Sequence, residues 1–425
     1  MRTGGWRRVN TGARRFVSGG ARLQVVSRSD LGRPWHGFRR PTCGVNVSAS
    51  AARLYPRGRA PSFAMQARAA LSTGATVDPV VSPGWLAENL GSVKVLDATW
   101  YLPSKKKEGR ETHRVGPRIP GAKYFCIDAI ASQDAASLKH MLPPPDAFAA
   151  AADALGLKNS DTVVVYEANG MAFAAARAWW MFRCFGHENV KVLNGGLPAW
   201  IREREAGGGP ASAFGLDESE APEESVDAGG NASVSAQAAG GGGSSAAYRA
   251  ELNPGLVVSK ADILSDLDLG KGKKMHLLDA RGAARYKVRE WHAKTLAPKP
   301  VADHRIRLSS SSSFGGVGSP PKGTEPEARP GLRSGHIPGS FSMPFASLIC
   351  DDGGLMPAEA LMKNDLVLRA LEEERAGKFI TASCGSGVTA CVVALAFARL
   401  GKDVAVYDGS WTDWGADTSC PIETG

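Results

Sequence analysis

Residues 384–389 read Cys-Gly-Ser-Gly-Val-Thr. They follow a short β-branched run, Lys378–Ala382, and open a long apolar stretch, Val388–Leu400. The pattern predicts a strand, a turn of small residues and a helix. Gly385 and Gly387 permit backbone angles that point several N–H groups at one place, and the first turn of a helix adds partial positive charge there. A cysteine in such a cradle favours the thiolate, which makes Cys384 a candidate nucleophile. The same amides could hold an attached anionic sulfur. A buried cysteine in a tight turn can also be inert; the two glycines and the strand-to-helix position favour the nucleophile.

The elements that must position this turn occur twice. Thr162–Tyr166 is a second β-branched run, followed by Glu167-Ala168-Asn169-Gly170 and then the apolar stretch Ala172–Phe185. Residues 95–98 (VLDA) match 277–280 (LLDA), and 119–122 (IPGA) match 337–340 (IPGS). Residues 192–196 (VLNGG) with Trp200 match 406–410 (VYDGS) with Trp411 and Trp414. The offset between partners lengthens after the first pair, as an insertion confined to the second block requires. This is an internal duplication, with blocks at about 79–205 and 254–425. Repeated strand–turn–helix units predict an α/β fold: two tandem domains, each a parallel sheet flanked by helices. Ligands are then expected beyond the C-terminal ends of the strands. Glu167 aligns with Cys384, and an acid cannot do thiolate chemistry. The first block is therefore read as catalytically silent, and the site is expected on the second block near the interface.

Composition separates the rest of the chain from these blocks. The formal net charge of +9 arises at the N-terminus: residues 1–77 hold 14 Arg, no Lys and one acid, Asp30. The remainder is mildly acidic, so the basic charge belongs to a tail and no nucleic-acid groove is expected. An Arg-, Ser- and Ala-rich segment nearly free of acids has the composition of an organelle transit peptide, mitochondrial or alternatively plastid, or of a disordered basic tail. Residues 207–250, rich in Gly, Ala, Ser and Glu, are read as a flexible linker. Residues at about 294–322, with Ser309–Ser313 and Pro320-Pro321, are read as a disordered insertion within the second domain, 251–425. The first domain is placed at 78–206. No apolar run is long enough to span a membrane. The seven cysteines include no Cys-x-x-Cys pair, so free thiols are expected in place of a disulfide framework or metal cluster. No motif calls for a metal or an organic cofactor.

Taken together, the two blocks resemble the 3-mercaptopyruvate sulfurtransferases of the rhodanese superfamily. The resemblance rests on the Cys-Gly-Ser-Gly-Val-Thr turn, Leu96–Pro103 (LDATWYLP), Trp179–Gly186 (WWMFRCFG), Gly323–Arg329 (GTEPEAR), Gly335–Gly339 (GHIPG) and Tyr407–Trp411 (YDGSW). Thiosulfate-type loops carry Arg and Lys after the Cys, and this loop does not. The resemblance implies transfer of sulfur from a small anionic donor through a Cys384 persulfide to thioredoxin, another thiol or cyanide, by a monomer or weak dimer. It implies that Arg285 and Arg329 bind the donor carboxylate, a role suited to planar guanidinium groups. Gly385, Gly387, Val388 and Thr389 would line the donor. It further implies a Ser, His and Asp relay, matched here by Ser386 and Asp97. Arg118 stands where the relay histidine is expected, with His113 five residues before it; His336 is read as orienting a turn. Three alternatives remain: a thiosulfate sulfurtransferase, a non-catalytic or sulfur-relaying module of the same fold, and a cysteine phosphatase. The phosphatase would need an arginine where Ala390 stands.

Overall fold

In a computed structural model of the chain, the residues described are 78–134, 138–170, 172–207, 213–221, 247–270, 273–286, 327 and 329–424. They fall in one compact unit, residues 48–425. The segment read as a transit peptide, 1–77, and the one read as an insertion, 294–322, lie outside them.

Each half is built on a five-stranded sheet. The first uses β1 (Val80–Val81), β2 (Val93–Asp97), β3 (Lys123–Tyr124), β4 (Thr162–Tyr166) and β5 (Val190–Leu193); the second uses β6 (Val257–Val258), β7 (Met275–Asp279), β8 (Phe341–Ser342), β9 (Phe379–Ser383) and β10 (Ala405–Tyr407). The orders are β1-β5-β4-β2-β3 and β6-β10-β9-β7-β8, with every pairing parallel. The second order is the first with each strand replaced by its sequence counterpart, so the duplication is topological as well. Register repeats too: Asp97 pairs with Tyr166 and Asp279 with Ser383. The central strand β4, Thr-Val-Val-Val-Tyr, is buried from its second residue onward. That pattern marks a parallel strand covered on both faces, where no polar alternation is needed.

Helices start where capping chemistry is present. Ser259 and Asp262 form a reciprocal capping box at Lys260–Asp268, and Asn364 accepts from Leu366 and Val367 at Asp365–Arg375. Two helices differ from these amphipathic ones. Phe173–Cys184 and Ala390–Ala398 are buried over most or all of their residues, as helices lacking a polar face must be. They pack against each other, one from each half, in a single apolar cluster that runs through both domains.

The linker expected over 207–250 is narrower at both ends. Residues 213–221 return to the first domain: Phe214 packs edge-on against Trp200, and Asp217 bridges to Arg118. At the far end, Tyr248 is buried against Phe148 and His187, and its N–H donates to Asp153. Composition hides this because a few anchoring side chains suffice to hold a polar segment.

Candidate active site

Cys384 follows the last residue of β9, at the C-terminal edge of the second sheet. Its N–H donates to Ser410 Oγ (3.0 Å), and its carbonyl accepts from Trp411 N (3.0 Å). The next carbonyl, Gly385, accepts from Thr412 N (2.9 Å). The start of helix Ser410–Ala416, just after β10, thus clamps the start of the turn. Ser410 itself has φ +49, uncommon for a residue with a side chain. Beyond the clamp, the N–H groups of Gly385, Ser386, Gly387 and Val388 donate to no acceptor among the described residues. A buried or half-buried turn with four free amide donors at a helix start is a cradle for an anion. Gly387 has φ +80, and a Cβ there would lie 2.6 Å from Asp408 O, so only glycine fits without displacement. Cys384 is 2% exposed and Ser386 half-buried. Val388 is buried and Thr389 is the residue before the helix.

The counterpart turn in the first half solves the same problem with its own side chain. The Glu167 carbonyl accepts from Leu197 N, the equivalent of the Cys384–Trp411 bond. Glu167 Oε1 accepts from Ala175 N (2.8 Å) at the start of helix Phe173–Cys184. The turn of the first half therefore carries its own carboxyl group where the other turn has a cysteine. Burial pushes that carboxyl up to about 8, against the backbone hydrogen bonds that favour its charge.

Arg329 reaches the turn, and Arg285 meets it at Glu327. Arg329 Nη1 donates to Gly385 O (2.8 Å) and to Thr412 Oγ1, and its Nη2 lies where a side chain on residue 385 would go. Both arginines converge on Glu327. Arg285 Nη2 donates to its two oxygens (2.6 and 2.7 Å), and Arg329 Nε to Oε1 (3.1 Å). Arg281 also reaches Glu327 (3.7 Å) but is held by Asp279, with Nη2–Oδ2 at 2.6 Å. Sequence reasoning missed Glu327, although it lies inside the Gly323–Arg329 motif between the two arginines.

The relay expected from the sequence is arranged differently. Asp97 accepts from Thr99 N (2.9 Å) and Thr99 Oγ1 and pairs with His113 Nδ1 (2.9 Å). Thr99 Oγ1 in turn accepts from Ala168 N (2.7 Å). These contacts all lie in the first domain and brace the silent Glu167 turn. Arg118 is buried and bonded to Asp217 Oδ2 (2.7 Å) and Ser219 O (2.7 Å), holding the returning segment. It supplies no charge to the Cys384 turn through these bonds. His336 stacks on Tyr286 at 4.0 Å and bonds its carbonyl, the orienting role expected.

A different histidine faces the second domain. His140 Nδ1 lies 2.8 Å from Asp128 Oδ1, and Trp100 Nε1 donates to Asp128 Oδ2 (2.8 Å) while its ring packs edge-on to His140. Burial raises the Asp128 carboxyl, but His140 and Trp100 outweigh it and hold the group below its ordinary value. The His140 carbonyl accepts from Arg177 Nη2. Arg177 Nη1 bonds Asp408 Oδ1 (2.7 Å), and both lie against Gly387. This chain of contacts joins the backbone of the His140 segment to the Cys384 turn, while the His140 ring packs on Trp100 and Asp128. The sequence signal was its neighbourhood, His140-Met141-Leu142-Pro143, an isolated histidine with no partner nearby in sequence.

The remaining cysteine near the site, Cys391, is fully buried and donates to Gly387 O (3.1 Å). Burial pushes its thiol up to about 12, which fits a core residue.

Comparison with known proteins agrees with this architecture. A model of the rhodanese-like domain matches residues 82–203 and 264–417. The chain is 37% identical over 377 residues to an Arabidopsis thaliana protein named thiosulfate/3-mercaptopyruvate sulfurtransferase 1, mitochondrial, covering 85% of this chain and 83% of that one. It is 33% identical to the thiosulfate sulfurtransferase of Bos taurus, over 79% of this chain and 91% of the relative. A crystal structure of a 3-mercaptopyruvate sulfotransferase from Escherichia coli superposes with a TM-score of 0.52 at 29% identity, covering 79% of this chain and 99% of that one. Duplicated sheets, a cysteine turn on one and an acid on the other, and matches spanning both halves establish that the chain belongs to the rhodanese-like family, with two tandem domains.

Proposed function

We propose that the protein transfers sulfur from 3-mercaptopyruvate to a thiol acceptor through a persulfide on Cys384. The observation that carries this reading is the turn itself: Cys384 followed by four amide donors without acceptors among the described residues, with Arg329 laid across Gly385. Arg285 and Arg329 bind the donor carboxylate and its neighbouring carbonyl. The Cys384 thiolate attacks the donor sulfur; a sulfur–sulfur bond forms as the carbon–sulfur bond breaks. The electron pair passes to carbon as pyruvate enolate, stabilised by the arginines. A proton then converts the enolate to pyruvate, and the outer sulfur loses one, leaving an anionic persulfide in the amide cradle. In this reading His140, beside Asp128, carries that proton in place of the relay histidine expected where Arg118 stands, and Ser386 steadies the persulfide. A thiol such as reduced thioredoxin, or cyanide, removes the outer sulfur and regenerates Cys384.

Thiosulfate as donor is the second reading, favoured by relatives named for it. The Arg-rich segment 1–77 supports import into a mitochondrion, as does the mitochondrial name of a relative. The protein acts as a monomer or weak dimer in this reading.

Pyruvate release from 3-mercaptopyruvate with a dithiol acceptor, run beside thiocyanate formation from thiosulfate and cyanide, tests the assignment. The expected result is a preference for 3-mercaptopyruvate and loss of at least about a thousandfold of either turnover in Cys384→Ser. A thiosulfate preference would replace the donor; turnover surviving in Cys384→Ser would remove the nucleophile.

A further inference from the structure

We propose that Glu327 is a specificity-determining residue, selecting a singly charged donor anion over a doubly charged one by cancelling one of the two guanidinium charges beside Cys384. The inference rests on the donor-site reading above and assigns its charge selectivity.

The geometry is specific. The Glu327 side chain is 1% exposed and receives Arg285 in a forked contact and Arg329 at Nε. Its N–H is itself fixed by Ser334 Oγ (3.1 Å). Burial pushes the carboxyl up, but the Arg285 bonds and the charges of both arginines outweigh it and hold it below its ordinary value. It is thus an anion at neutral pH. Arg281 does not add to the balance, because Asp279 takes its Nε and Nη2. Two guanidinium groups against one carboxylate leave a single net positive charge for the ligand. The arrangement also leaves donors unused: Arg285 Nε has no acceptor among the described residues. A mercaptopyruvate carboxylate satisfies that edge and balances the charge. Thiosulfate brings a second negative charge that would be taken from water without a partner, which is costly.

Gly385 completes the argument. Arg329 Nη2 occupies the space of a side chain at 385. The cationic loop expected of thiosulfate enzymes therefore cannot coexist with Arg329 in this position. The positive charge comes from Arg329, metered by Glu327, in place of the loop.

The test compares wild type with Glu327→Gln, which keeps the shape and one acceptor but removes the charge, and with Glu327→Asp, which keeps the charge. Thiosulfate relative to 3-mercaptopyruvate, as a ratio of kcat/KM, should rise at least about tenfold in Glu327→Gln. Glu327→Asp should stay within about threefold of wild type. A parallel fall for both donors, or an unchanged ratio in folded Glu327→Gln, would reduce Glu327 to a structural role and overturn the proposal. Wild type alone supplies a second measurement that needs neither variant nor turnover: competitive binding of pyruvate and of sulfate. Pyruvate should bind more tightly by about tenfold; equal or tighter sulfate binding overturns the charge assignment. If wild type turns over neither donor while pyruvate still outcompetes sulfate, the transfer reading fails and the charge selection stands.

Discussion

Glu167 and Cys384 occupy the same position in two copies of one domain, and the difference between them divides the labour of the molecule. The Glu167 carboxyl accepts from Ala175 N at the start of helix Phe173–Cys184, whereas the amides of 385–388 have no acceptor among the described residues. Glu167 has a measurable consequence for stability. Its carboxyl moves from an ordinary 4.5 to about 8 on folding, chiefly through burial, and Oε2 is buried without a partner among the described residues. Between those pH values the folded chain holds a proton that the unfolded chain has lost. Its contribution is therefore complete below about 4.5 and is lost as pH rises toward 8. Glu167→Gln, neutral throughout, should raise Tm at pH 8 by about 2–4 °C or more and change little at pH 5. Equal effects at both pH values, in thermal melts, would show that the carboxyl does not titrate in this window.

At the scale of elements, the turn between β9 and helix Ala390–Ala398 is held by what lies under it. The start of helix Ser410–Ala416 supplies Ser410, Trp411 and Thr412 as partners of residues 384 and 385. Asp408 and Arg177 close against Gly387. Gly387→Ala should cost about 1–3 kcal/mol in urea unfolding, since it adds a side chain at φ +80 against the Asp408 carbonyl. Sulfur transfer should fall further than stability, because the amides of 386–388 turn with that residue. Activity retained in the presence of the stability loss would mean that the amide cradle is not used. The all-apolar character of helix Ala390–Ala398 follows from the same arrangement: it starts at the site and runs into the core, with no face left for water.

Across the whole molecule, Arg177 and Asp408 tie the halves together. Their bond is 2.7 Å with both side chains 1% exposed. Asp408 Oδ2 also accepts from Leu142 N (2.7 Å), while Arg177 holds the His140 carbonyl and lies 4.5 Å over the Trp180 ring. One buried pair thus joins the His140 segment of the first domain to the cysteine turn of the second. Arg177→Met leaves Asp408 charged and unpaired, and should destabilise by about 3–5 kcal/mol in urea unfolding. Adding Asp408→Leu should recover part of that loss, because the orphaned charge goes with it. Additive losses in the double variant would show that the pair is not coupled.

The order of residues alone determined the duplication and the sheet-and-helix class, and it brought Cys384, Arg285 and Arg329 forward as the candidate site residues. These are legible because each is local: a β-branched run, a glycine turn, a motif whose members are neighbours in sequence. The surroundings of His140 were not legible. Asp97 and Arg118 stand in motifs, yet their bonds serve the first domain. Asp128 and His140 sit 12 residues apart with nothing between them to mark a pair, and become one because Arg177 and Trp100 converge on that segment. Glu327 was likewise visible as a letter in a motif, but its pairing with Arg285 spans 42 residues. Side-chain charges are written in sequence; which of them cancel depends on distance, and distances between halves of a chain are set only when the shared core closes.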